Sequence, residues 1–204
     1  MALLASRPLT AGDKRRMATA DRMAEAEVSL RVAFYLLDSD LAASDVDVAI
    51  DGAQVRTGEA IHFRIAEFIT QNACTPDALS SSWQGTYCRA GARFRLRIHA
   101  NPGRGDVVAQ LSSGHTLRVE SKKGPLERSP SSAEYPLLRE AIGQLMTVET
   151  AGDDDILAVA VPKSAKFMEL AARWRRAPLI QRLGIRLLTV DRRNKVEGLV
   201  EPVA

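Results

Sequence analysis

Apolar positions along this chain recur with two periods, and the switches between them mark the expected elements. Over 58–73, GEAIHFRIAEFITQNA, the residues Ile61, Ile65, Phe68 and Ile69 share one helical face, which predicts an amphipathic helix. A helix is also expected over 19–37, TADRMAEAEVSLRVAFYLL. Another is expected over 133–149, where Leu138, Ala141, Ile142 and Leu145 form a stripe and Pro136 falls in the tolerant first turn. KSAKFMELAARWRR predicts one more. Period-two stretches lie between these helices. Val46, Val48 and Ile50 alternate with polar residues ahead of Asp51-Gly52, a dipeptide suited to a two-residue hairpin turn. In TYCRAGARFRLRIHA, Phe94, Leu96 and Ile98 point to one side, and Arg93, Arg95, Arg97 and His99 to the other. GDVVAQLSSGHTLRVESKKG reads as two strands around a Ser-Ser-Gly turn. DDILAVAVP is nearly continuous in apolar residues, as expected of a strand covered on both faces. GIRLLTVDRRNKVEGLV predicts a closing hairpin.

From residue 58 the order is helix, three strands, helix, strand, which predicts a mixed α/β layout. Residues 1–18 mix Pro, Gly and charge without a period and read as a loose leader. Residues 19–57 read as an N-terminal helix and hairpin, and 58–204 as the main domain. The length of 204 residues suits one domain, and 46% hydrophobic with 26% charged residues suits a globular chain. The formal charge of +3 does not by itself demand a polyanionic partner. Arginine clustering is more suggestive, because the 89–99 ladder, Arg173, Arg175 and Arg176 would form a basic surface if folding gathered them. Cys74 and Cys88 lack metal-ligand spacing, and His62, His99 and His115 are scattered, which argues against a zinc site. The start of the chain has too short an apolar run for a signal peptide, and no run of about 18 apolar residues follows, so a cytoplasmic protein with reduced thiols is expected.

The charges in the Ser-Ser-Gly hairpin carry the candidate chemistry. Residues two apart in a strand share a face, so Arg118, Glu120 and Lys122 project together. Folding at Ser113-Gly114 brings Asp106 toward Glu120 and Lys122. Two carboxylates at such a junction repel unless a divalent cation lies between them, and hard oxygen ligands suit Mg²⁺ or Mn²⁺. A neighbouring ammonium can orient water or neutralise charge on a phosphate oxygen.

Asp106 followed by Glu120-Ser121-Lys122 resembles the D…ExK signature of the PD-(D/E)xK nuclease superfamily. The element order over 58–162 is similar to that family's αβββαβ core, the restriction-endonuclease-like fold. Gly105 stands where the family usually has proline. The resemblance implies that Asp106 and Glu120 hold the metal and that Lys122 assists the water nucleophile. It also implies that Gln144, in a Gln-Leu pair on the next helix, lies near the metal, and that a helix glutamate, Glu59 in preference to Glu67, joins the site. A metal-dependent nuclease is therefore expected, with DNA favoured over RNA as substrate. Arg93, Arg95, Arg97, Lys123, Arg173, Arg175 and Arg176 are the expected nucleic-acid contacts. A homodimer would suit cleavage of both strands of a duplex. The alternative is a non-catalytic nucleic-acid-binding or assembly module that keeps the nuclease fold.

Overall fold

The computed structural model describes residues 22–78, 82–101, 103, 105–127, 133–148 and 151–199; the 1–18 leader and the first residues of the 19–37 helix lie outside them. Helix α1 (Glu25–Asp38) is buried almost all round, with Val28, Leu30, Val32, Ala33, Phe34, Leu36 and Leu37 in the core. A helix without a wet face must lie in the middle of a fold. It is laid across one face of a mixed sheet, against β2 (Val46–Ala49), β8 (Val107–Gln110), β9 (Thr116–Ser121), β11 (Asp155–Pro162) and β12 (Arg186–Val190). Full burial of a side chain such as Phe34 or Leu30 contributes roughly 1.5–3 kcal/mol, so this helix anchors the sheet.

The remaining strands are β1 (Arg22–Met23), β3 (Arg56–Thr57), β4 (Ala60–Ile61), β5 (Cys74–Pro76), β6 (Gly85–Arg89), β7 (Leu96–His99), β10 (Gly124–Pro125) and β13 (Val196–Glu197). Nine strands form the large sheet in the order β13-β12-β11-β9-β8-β2-β7-β6-β5. β11 runs parallel to both β9 and β12, and β2 is parallel to β7. β8 is antiparallel to β2 and to β9. The chain is thus α/β, with a large mixed central sheet between helices. On the face opposite α1, helices α4 (Glu134–Leu145) and α5 (Ala165–Arg175) pack over β11 and β12, where Leu138, Leu145, Val159, Val161, Phe167, Leu170 and Leu187 form a second core.

Residues 22–57 are not an appendage. β2 lies inside the sheet, between β8 and β7, and pairs with residues far along the chain: Val46 with Leu96, and Val48 with Val107. Alternation in a sequence reveals a strand but not its neighbours. Asp51-Gly52 makes no hairpin turn. The Asp51 side chain accepts the Ala53 N–H at 2.9 Å and caps a single-turn helix, α2 (Gly52–Val55). The predicted 58–73 helix is shorter. Gly58, at φ 57°, turns a small β3–β4 hairpin, and helix α3 spans only Ile65–Gln71. Ile65 and Ile69 supply its buried face, whereas Ile61 is exposed on the hairpin. A last single-turn helix, α6 (Pro178–Arg182), precedes the β12–β13 hairpin.

Candidate active site

The β8–β9 register, Val107 opposite Val119 and Val108 opposite Arg118, places Asp106 opposite Glu120 when extended by one residue. The Asp106 N–H donates to the Val119 carbonyl at 2.8 Å, and its own carbonyl accepts the Ala49 N–H at 2.9 Å, so the residue is tied to strands on both sides. Its Oδ2 accepts the Ser121 N–H at 2.7 Å. Gly105 sets this approach. Its φ of 124° is closed to proline, whose ring fixes φ near −65°, and a Cβ there would lie 3.1 Å from the Val119 carbonyl oxygen.

Lys122 follows the end of β9 and anchors its N–H on the Ala160 carbonyl at 2.9 Å. Its side chain is 4% exposed, and the ammonium is shared by Glu120 at 3.3 Å, Glu140 at 3.5 Å and Glu25 at 3.6 Å. These carboxylates come from β9, α4 and the first turn of α1 respectively. Glu25 is delivered by the β1–β10 pairing, Arg22 with Pro125 and Met23 with Gly124, which sets the entry to α1 beside the exit from β9. A Cβ on Gly124 would overlap the Phe167 ring, so only glycine allows that close packing. Glu25 also accepts from Gln54 Nε2 at 3.0 Å and from the Lys123 N–H at 3.4 Å.

The electrostatics of the group are unsettled. Burial, then the Glu120 charge facing it, push the Asp106 acid up to about 7, against the hydrogen bond from Ser121. Burial also raises Glu120, with Lys122 opposing. Burial alone would lower Lys122, but Glu25, Glu120 and Glu140 outweigh it and hold the ammonium charged above its ordinary range. Among the described residues no group of three or more His, Cys, Asp or Glu side chains is arranged to hold a metal ion. What the site offers is a facing carboxylate pair, Asp106 and Glu120, in the lining of a cavity of about 1080 Å³ that Gln54, His62, Glu140 and Gln144 also line.

Of the residues expected from the sequence, Asp106, Glu120, Lys122 and Gln144 line this cavity, and Lys123 sits at its exposed rim. Glu59 does not join them. It stands in the β3–β4 turn with its side chain 99% exposed, paired with Arg56 at 3.2 Å, because Gly58 turns the chain there instead of starting a helix. Glu67 is exposed and paired with Arg64 at 2.9 Å. The sequence reading missed Glu25 and Glu140. Glu140 had a signal, since it precedes Gln144 by one helical turn on the same flank. Glu25 had none, because the β1–β10 pairing joins segments about a hundred residues apart.

The arginine ladder shares the face of the site. Through the registers Ala49 opposite His99 and Asp47 opposite Val108, the row from Glu120 runs through Asp106 and Ala49 to His99, three strand spacings or about 14 Å away. Its charges are partly matched. Arg97 pairs with Asp47 at 2.8 Å and Arg95 with Asp77 at 2.5 Å, while Arg93 lies over the Phe94 ring at 5.1 Å. The 173–176 cluster lies on the helical layer. Arg173 and Arg176 are exposed. Arg175 is half-buried and donates through Nε to the Leu187 carbonyl at 3.1 Å, which commits it to the fold. Trp174 meets Tyr135 edge-on at 5.5 Å and joins α5 to α4.

No protein-family model, curated protein or solved structure matches this chain.

Proposed function

We propose that this protein is a divalent-cation-dependent nuclease of the PD-(D/E)xK type, acting on DNA. The observation that carries the reading is the meeting of Asp106, Glu120 and Lys122 in the lining of one cavity. Its support at the level of fold is the succession α1, β2, β8, β9, α4, β11, with β2-β8-β9-β11 adjacent in the sheet, β8 antiparallel to its neighbours and β11 parallel to β9. This is similar to an αβββαβ core. On that reading the chain between β2 and Asp106 carries an insertion that adds β7, β6 and β5 beyond β2, and the core begins at α1, not at residue 58.

The donor set fits a hard cation. Asp106 and Glu120 present oxygen ligands; burial raises both acids, and the Glu120 charge adds to the rise of Asp106, a cost that a cation between them would remove. Bound there, Mg²⁺ or Mn²⁺ would polarise a phosphoryl oxygen and ease the deprotonation of water. The chain's own residues supply the remaining functions. The Lys122 ammonium stays charged, so it acts as a donor that orients water and neutralises charge on the phosphate, not as a proton acceptor. Gln144 offers an amide at the cavity wall, and Lys123 a positive charge at the rim. In the reaction the oxygen of water joins phosphorus and its proton passes to bulk solvent, while the P–O bond to the leaving sugar oxygen breaks and the departing oxygen takes a proton from solvent.

The test is incubation with labelled duplex DNA, single-stranded DNA and RNA in Mg²⁺, Mn²⁺ or EDTA. Cleavage of DNA with either cation and none in EDTA is the expected result. Salt-sensitive DNA binding without cleavage in either cation would assign the fold to the non-catalytic alternative.

A further inference from the structure

We propose that Glu140 is the positioning residue for Lys122, the carboxylate that keeps the ammonium in the site once a cation occupies Asp106 and Glu120. The inference rests on the nuclease reading and adds to it a residue from α4, outside the D…ExK signature. Lys122 has three carboxylate partners, and they are not equivalent. Glu120 faces Asp106 across the β8–β9 pair, and Glu25 and Glu120 are both largely buried, at 16% and 15% exposure. The Glu25 charge acts on Asp106 and Glu120 alike, so a cation seated at that pair draws on Glu25 as well as Glu120. Glu140 reaches Lys122 from α4, at 3.5 Å, with its own side chain 58% exposed. It is the partner that remains. An ammonium enclosed to 4% exposure cannot exchange its carboxylates for bulk water without leaving its place. Glu140 therefore determines whether Lys122 points at the reacting phosphate or swings out. The helix supports this geometry, since Leu138, Ala141 and Leu145 are buried and fix α4, leaving Glu140 and Gln144 one turn apart on the flank that faces the cavity.

The experiment follows the lysine directly. Acetylation of Lys122 by acetic anhydride is timed by mass spectrometry, with Lys123 resolved by fragmentation, in wild type and Glu140→Gln, with and without saturating Mg²⁺; calorimetry on the same samples reports Mg²⁺ binding. Without Mg²⁺, Lys122 should be protected in both proteins, because Glu25 and Glu120 still hold it. With Mg²⁺, wild-type Lys122 should stay protected, while in Glu140→Gln its modification should rise by roughly tenfold or more. Cleavage by Glu140→Gln should show kcat lowered roughly 10–100-fold, as for other outer-shell partners, with KM little changed. A purely structural role for Glu140 predicts the same labelling change with and without Mg²⁺. Wild-type protection of Lys122 in Mg²⁺-bound Glu140→Gln overturns the inference and leaves the nuclease reading standing. Failure of the wild type to bind Mg²⁺ overturns the nuclease reading and the inference with it.

Discussion

At the scale of single residues, the Asp106 acid is pushed up to about 7 from an ordinary 3.8, so between those values the folded chain holds a proton that the unfolded chain has released. Stability contributed at this position therefore falls as pH rises from about 4 to about 7 and levels off above that. The full shift corresponds to a cost on the order of 4 kcal/mol. Asp106→Asn keeps an oxygen for the Ser121 N–H and cannot ionise. Its urea midpoint should match wild type near pH 4 and exceed it increasingly up to about pH 7, with the gap constant above that. Mg²⁺ should close the gap by stabilising wild type alone. A difference independent of pH would show that burial and the facing carboxylate do not govern this group.

At the scale of elements, the site depends on two close approaches of backbone. Gly105→Ala places a side chain at φ 124° against the Val119 carbonyl, so it should cost about 1–3 kcal/mol in denaturant unfolding and displace Asp106, with loss of cleavage. Wild-type stability of this variant would mean that the turn into β8 is slack. Elements with a local period were legible in the sequence. The β8–β9 hairpin could be read because alternation on both sides of Gly114 sets which residues share a face, and β11 because its apolar run has no wet side. Adjacency in the sheet was not legible. β2 was recognised as a strand, yet its partners sit some fifty residues or more away and no turn connects them. The 58–73 stripe misled because Ile61 has the spacing of a helix with Ile65, while Gly58, with positive φ, makes a hairpin first. The same blindness to long-range pairing hid Glu25, which lines the cavity, while Glu59 stands exposed in a turn away from it.

For the molecule as a whole, no helix among the described residues is long and apolar enough to cross a membrane. The clustering of arginines seen in the sequence overstates the free positive charge, because Asp47 and Asp77 lie against the ladder and Arg175 serves the fold. Exposed ion pairs of this kind are worth little and exchange readily, so the ladder is available to phosphates at modest cost. Lys123→Ala should reduce the salt slope of DNA binding by about one. Arg175→Ala should leave that slope unchanged and lower stability by about 1–2 kcal/mol through the lost bond to Leu187. Equal effects of the two substitutions on the slope would contradict this division.

We propose that residues 106, 120 and 122 form one cation-dependent hydrolytic centre. Its most direct test is the initial rate of cleavage of labelled duplex DNA in Mg²⁺ by wild type, Glu120→Ala and Lys122→Ala, each verified as folded by circular dichroism. Wild type should cut and neither variant should cut above background; cutting at the wild-type rate by Lys122→Ala would overturn this assignment.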